Sequence, residues 1–164
     1  MHAENIRIAM KNIVTQQEAL RQLAAMCATA EHCRHDMLQK MQAWGLSEEA
    51  QEHIIHQLVE GRYVDDERYC RAFVADKMKY NKWGRRKIDM ALCQKRIEAD
   101  IRHRVLGAVE PDEFIAILRP LIDSKRKSIK ADNPRERNAK LMRFALQRGF
   151  TIDEINECIS GEDY

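Results

Sequence analysis

A chain of 164 residues, 45% hydrophobic and 33% charged, can bury a core under a heavily charged surface, as one domain or a short array of small ones. Aromatics at 6%, six Gly and three Pro leave too few turn residues and β-branched runs for a sheet-rich fold. No stretch approaches the roughly 20 apolar residues of a membrane span, and the five cysteines lack any CxxC pair, which argues against a disulfide framework or a zinc ribbon.

The elements read as helices throughout, near residues 15–29, 32–44, 47–60, 66–81, 84–95, 98–108, 111–130, 134–148 and 151–160. Thr15 with Glu18 has the pattern of a capping box, and Pro111 stands where a first-turn proline is tolerated. Residues 1–12 and those after Gly161 are expected to be weakly ordered. The opening Met1-His2-Ala3-Glu4-Asn5 lacks the basic end and apolar run of a signal peptide, and a cytoplasmic location is expected.

The helices repeat in threes. Leu46, Ile97 and Phe150 are equivalent; nine residues before them stand Met37, Ile88 and Leu141, and nine after them Ile55, Leu106 and Ile159. Val14, Val64 and Val109 each precede a polar helix start, followed by the apolar triples Ala19/Leu20/Leu23, Tyr69/Cys70/Phe73 and Phe114/Ile115/Leu118. Gly45 and Gly149 can take the left-handed conformation that ends a helix, and Ser47 and Thr151 can cap the next one. Arg96 stands in place of Gly in the middle unit, so its turn is expected to be strained or differently shaped. The expected fold is all-α: three tandem three-helix repeats, 13–62, 63–109 and 110–161, in an elongated, curved array.

The net charge of +2 conceals an asymmetry. Residues 31–60 carry six acidic and two basic side chains, whereas 77–104 and 119–148 each carry ten basic and three acidic. Lys79, Lys82, Arg85, Arg86, Lys87 and Arg96 form one basic block; Lys125, Arg126, Lys127 and Arg135, with Lys130, Arg137, Lys140 and Arg143, form a second. Arg85, Arg86 and Arg96 fall away from the apolar side set by Ile88 and Leu92, where they can meet an anionic partner. Lys95 lies nearer the apolar side and is expected to snorkel. Tyr80 and Trp83 can stack on bases, but core aromatics at an interhelix turn are the favoured reading.

Catalytic signals are absent: there is no GxGxxG, Walker A or GxSxG pattern, and no cofactor is expected. Cys27, His32, Cys33 and His35 have ligand chemistry without the spacing of a closed zinc site, and His53 and His56 beside Glu52 lack the HExxH order. Asp65, Asp66 and Glu67 suit a positive helix N-terminus better than a magnesium ion.

The segment Gly61-Arg62-Tyr63-Val64-Asp65-Asp66-Glu67-Arg68-Tyr69, with Phe73, followed by Trp83-Gly84-Arg85-Arg86-Lys87-Ile88, Leu92 and Lys95-Arg96-Ile97, resembles the RecX family. Trp44-Gly45-Leu46 and the closing Leu146-Gln147-Arg148-Gly149-Phe150 fit the same resemblance, which spans about residues 38–160. Gly61, Tyr63, Asp65, Asp66, Arg68, Tyr69, Phe73, Gly84, Leu92 and Lys95 are the positions that carry the family motif. Arg96 departs from it, because the family usually has Gly in a Lys-Gly-Ile triplet. The resemblance implies a cytoplasmic, non-enzymatic, monomeric modulator of the RecA recombinase, acting in homologous recombination, DNA repair and the SOS response. Such a protein lies along the RecA–DNA filament and typically inhibits strand exchange, ATP hydrolysis and coprotease activity. The alternative from the residues alone is a stand-alone helical nucleic-acid-binding protein using its basic surface strip.

Overall fold

In the computed structural model, residues 14–160 are described, and they hold nine α-helices and no strand. The weak order expected of 1–12 and of the last residues concerns segments outside that range. The chain divides into two compact units, with the boundary between Tyr69 and Cys70.

The first unit contains α1 (Gln16–Thr29), α2 (Arg34–Ala43), α3 (Glu48–Glu60) and the start of α4 (Asp66–Asp76). Helices α1 and α2 both pack on α3. Ala19, Leu23, Met37, Met41, Ile54 and Leu58 close its core, each at most 1% exposed. Ala19, Leu23 and Met37 are positions that helical spacing placed on an apolar face; Met41, Ile54 and Leu58 extend it, and burying that face is what holds α1 and α2 to α3.

The second unit contains the remainder of α4, α5 (Arg85–Gln94), α6 (Ala99–Gly107), α7 (Pro111–Ser128), α8 (Pro134–Gln147) and α9 (Ile152–Ile159). Helix α5 packs on α6, while α7, α8 and α9 pack on one another. Ile88, Leu92, Phe114, Leu118, Leu141 and Phe150 are fully buried. Pro120 lies inside α7 without ending it. It removes the N–H that would reach Ala116, and both residues are exposed, so water can satisfy the orphaned carbonyl.

One turn recurs. At Gly45–Leu46, Arg96–Ile97 and Gly149–Phe150 the second residue donates its N–H five positions back, to Met41, Leu92 and Ala145 (3.1, 3.2 and 3.3 Å). The first residue donates three back and has φ of +75°, +55° and +93° respectively. This is the left-handed helix ending that supplies partners for the last carbonyls. The middle turn therefore has the same shape as the others, and Arg96 bears the strain of a side chain in a region that favours glycine. A fourth copy follows α3, where Arg62 has φ +58° and Tyr63 donates to Leu58; the glycine of this turn, Gly61, stands one residue before the left-handed position.

The helix starts follow local chemistry. Ser47 and Thr151 accept from the N–H of Ala50 and Glu154, and Asn133 accepts from Glu136. Thr151/Glu154 and Glu110/Glu113 form reciprocal capping boxes. The box expected at Thr15 is half made. Thr15 accepts from the Glu18 N–H, but the Glu18 carboxylate turns to Arg21 (2.6 Å) and Gln22 (2.8 Å) instead. A charge-assisted bond to a guanidinium outweighs one to a neutral N–H, and these partners hold Glu18 down at about 2.

Candidate nucleic-acid interface

The acidic motif is structural. Asp65 caps α4 by accepting the N–H of Glu67 and Arg68, each at 3.0 Å, and Asp66 accepts the N–H of Arg34 at the start of α2. Arg68 donates to Glu31 at 2.6 Å and to the carbonyls of Arg62 and Tyr63. The motif thus ties the α1–α2 connection and the α3–α4 turn to one helix start inside the first unit. Gly61 fits because a Cβ there would sit 2.9 Å from the ring of Tyr63, which is itself half-exposed. Tyr69 is buried, and Phe73 is half-buried with the Lys77 ammonium 5.2 Å from its ring centre.

After α4 the helix widens into a π turn over Lys77–Asn81 and stops at Lys82, whose φ is +55°. A widened turn of this kind changes which side chains face outward and is often found at functional sites. Here it presents Lys79, Tyr80 and Lys82 to solvent. Tyr80 is 70% exposed, so the core reading of this residue is wrong: the extra residue in the turn rotates it off the apolar face. Trp83 is half-buried, with the ammonium groups of Lys77 and Lys87 4.9 and 4.7 Å from its ring centre. Lys95, expected to snorkel, is half-buried.

Helix N-termini offer unpaired N–H groups to phosphates, but at the start of α5 two of these groups are already used. Gly84 donates to the Arg148 carbonyl at 2.7 Å and Arg86 to that of Gly149 at 3.0 Å, so the α8–α9 turn caps α5. The approach is so close that a Cβ on Gly84 would come within 2.4 Å of the Gly149 backbone, and one on Gly149 within 2.4 Å of Lys87. Arg85, placed by its spacing on the outer side, turns inward. Its guanidinium donates to the carbonyls of Leu106 and Val109 and lies 4.7 Å from the centre of Phe114. Carbonyls at and just beyond the α6 C-terminus lie within its reach, and helical spacing cannot foresee that. Arg102, a residue the basic pattern did not single out, behaves similarly, bonding Asp89 at 2.8 Å and the Ile97 carbonyl at 2.6 Å.

Of the remaining basic residues, Arg86, Arg96, Lys127 and Arg135 are exposed, and Lys87 and Lys125 are half-buried. Arg126, expected in the outward block, is half-buried with two of its guanidinium nitrogens out of solvent, so it does not present its charge as the run of basic residues suggested. Arg96 is at the far end of α5 from Arg86, about 15 Å along a ten-residue helix. Arg148 links the two basic blocks. Its guanidinium reaches the Asn81 carbonyl at 3.4 Å and stands 5.1 Å from the centre of Phe144, whose ring also carries Lys125 at 5.2 Å. The π turn and the α7–α8 pair are thereby joined in one basic track within the second unit. Arg148 belonged to the closing Gln-Arg-Gly-Phe motif, which was the only sequence signal for it.

Each unit carries an open cleft among its described residues. One of about 440 Å³ is lined by Lys125, Lys130, Lys140, Arg143 and Phe144, with Ser128, Ile129 and Gln147. The other, of about 670 Å³ in the first unit, is lined by Glu49, Glu52, His53 and His56, with Gln16, Ser47 and Ala50. Among the described residues no three His, Cys, Asp or Glu side chains gather to hold a metal. Cys27 instead donates its thiol to Met37 (3.8 Å), and burial pushes the Cys33 thiol up to about 12. No helix among the described residues is long and apolar enough to cross a membrane.

Residues 65–106 match the family model of the second three-helix domain of RecX, and residues 112–159 that of the third. Regulatory protein RecX of Vibrio campbellii is 32% identical over 81% of this chain and 84% of its own length. The RecX of Caldanaerobacter subterraneus is 25% identical over 91% and 73%. The crystal structure of RecX from Lactobacillus salivarius superposes with a TM-score of 0.80 at 19% identity, covering 90% of this chain and 96% of that one; at this identity the likeness concerns the fold. The three-helix repeats, the capped acidic motif and these relatives together establish that the chain belongs to the RecX family of regulatory proteins.

Proposed function

We propose that this protein binds the RecA–DNA filament and lowers the recombinase, ATPase and coprotease activities of RecA, acting as a cytoplasmic regulator with no catalytic step of its own. The observation that supports it best is the basic track of the second unit. Lys79, Lys82, Arg86, Lys125, Lys127 and Arg135 carry charge outward on helices whose apolar faces are committed to the core. A filament offers repeating sites, so several modest contacts made by one chain reinforce each other through effective concentration. Long-range attraction to a polyanionic filament would raise the association rate. The outward residues are the ones to test, because Arg85 is engaged inside the unit.

The direct experiment is RecA ATPase on single-stranded DNA, with co-sedimentation of the protein on RecA filaments. Inhibition at substoichiometric amounts, relieved by Lys79→Glu with Arg86→Glu while helix content is unchanged, is the expected result. Absence of any effect on the cognate RecA at every ratio would leave the stand-alone nucleic-acid-binding reading. That reading draws on Tyr80, exposed between Lys79 and Lys82 where a base could stack.

A further inference from the structure

We infer that the cleft between α7 and α8 is a seat for the phosphodiester backbone of single-stranded nucleic acid, with Lys125, Lys130, Lys140 and Arg143 as its cations. Four cations and no carboxylate line this cleft of about 440 Å³. Four like charges around one concavity repel one another; the Glu136 carboxylate beside Lys140 relieves part of that repulsion, and an anion entering the cleft relieves more. The cleft is also prepared for one. The Lys140 ammonium is fixed by the Lys130 carbonyl at 2.7 Å and by Glu136 at 2.9 Å, which leaves the third of its N–H donors for a ligand. Lys125 is held over the Phe144 ring at 5.2 Å. Two of the cations are therefore positioned before anything binds, which reduces the entropy lost on binding. Arg143 and Lys130 are exposed at the rim.

A strand is favoured over an isolated anion by what adjoins the cleft. Phe144 carries Arg148 on its ring as well, and Arg148 reaches the Asn81 carbonyl of the π turn. A chain of phosphates leaving the cleft past Arg148 would meet Lys79, Lys82 and the exposed ring of Tyr80, a sequence of cations and an aromatic suited to an unstacked strand. This deepens the filament reading and rests on it for the source of the strand, but the cleft itself needs no RecA to bind.

The test is fluorescence anisotropy of a labelled oligothymidylate titrated with the full chain over a range of salt concentrations, without RecA. A duplex and inorganic phosphate serve as the other two probes. The chain should bind the oligothymidylate more tightly than the duplex and should not be saturated by phosphate. Lys130→Glu with Arg143→Glu should weaken binding by about ten-fold or more and flatten the log-affinity against log-salt slope by about 1.4 units, ~0.7 for each single-strand phosphate left without its cation. Lys130→Gln with Arg143→Gln leaves the same two phosphates without cations, so it should flatten the slope to about the same extent while weakening binding by less, and Lys40→Glu, in the first unit, should move neither. Circular dichroism should be unchanged in all. Unchanged affinity and slope in the cleft variants would overturn the inference, as would tighter binding of the duplex or saturation by phosphate alone. If the wild type binds no strand and the cleft variants lose RecA filaments in co-sedimentation, the occupant is an acidic protein surface; the nucleic-acid seat is then wrong and the filament reading stands. If the strand is bound through the cleft but RecA filaments are not, the seat stands and the filament reading fails.

Discussion

The turns at Gly45 in the first unit and Gly149 in the second have the same backbone, hydrogen-bond pattern and left-handed residue, yet they do different work. Around Gly45 a Cβ would meet nothing, so the residue is glycine for conformation alone. Around Gly149 a Cβ would strike Lys87, and the turn's carbonyls cap the start of α5. The cleft flanking α3 is lined by carboxylates and histidines; the one between α7 and α8 by lysines and an arginine. A three-helix unit can thus be reused with its core and turns intact, while its turn is either left in solvent or used to weld the next helix, and its outer faces are free to take opposite charge.

The sharpest way to break this comparison is to place alanine at both turns. Gly149→Ala combines left-handed strain with a clash against backbone and should cost about 3–5 kcal/mol, whereas Gly45→Ala carries the strain alone and should cost about 1–2 kcal/mol. Urea unfolding of the two variants measures the gap, and equal losses would mean that Gly149 is not a weld.

A smaller effect separates two adjacent arginines. Arg85→Ala removes charge-assisted bonds to two helix-end carbonyls and a cation–π contact, a loss of about 2–3 kcal/mol. Arg86→Ala keeps its backbone bond to Gly149 and should stay within about 0.5 kcal/mol of the parent while weakening partner binding. If the two lose stability equally, Arg85 is a surface residue after all.

Arg96→Gly should stabilise the middle turn by about 0.5–1 kcal/mol, the relief at φ +55° less the extra freedom glycine brings to the unfolded chain. A loss instead would show that the Arg96 side chain contributes more than its backbone strain removes.

The smallest effect is one of pH. The bonds from Arg21 and Gln22 lower Glu18 from its ordinary value near 4.5 to about 2. Because the folded value is depressed, this carboxylate's contribution is complete above 4.5 and is lost as pH falls toward 2. Glu18→Gln should remove that component from an acid titration of α1 helicity; since the pair is exposed, the change should be slight and should fade in high salt.

Helix positions and the buried sides of the helices were legible because burial obeys a period that short windows reveal: Met37, Ile88 and Leu141 stand at one offset and all are fully buried. The caps at Ser47 and Thr151 were legible for the same reason, since donor and acceptor lie three residues apart. The basic blocks were visible as charge, but their roles were not. Tyr80 moved outward because one π turn shifts the register of its segment, and Arg85 moved inward because carbonyls more than twenty residues away lay within its reach.

Sequence by itself determined what depends on neighbours along the chain: the helical period, the repeated spacing, the turn residues and the sign of charge on each segment. Tertiary structure alone decided which cations face solvent, that Arg148 joins the two basic blocks, and that Gly84 and Gly149 lie back to back. The reason is range. Helical propensity and capping act over three or four residues, whereas the outcome for a long, flexible cation depends on which acceptor or aromatic ring folding brings within a few ångströms, and that partner can lie anywhere in the chain.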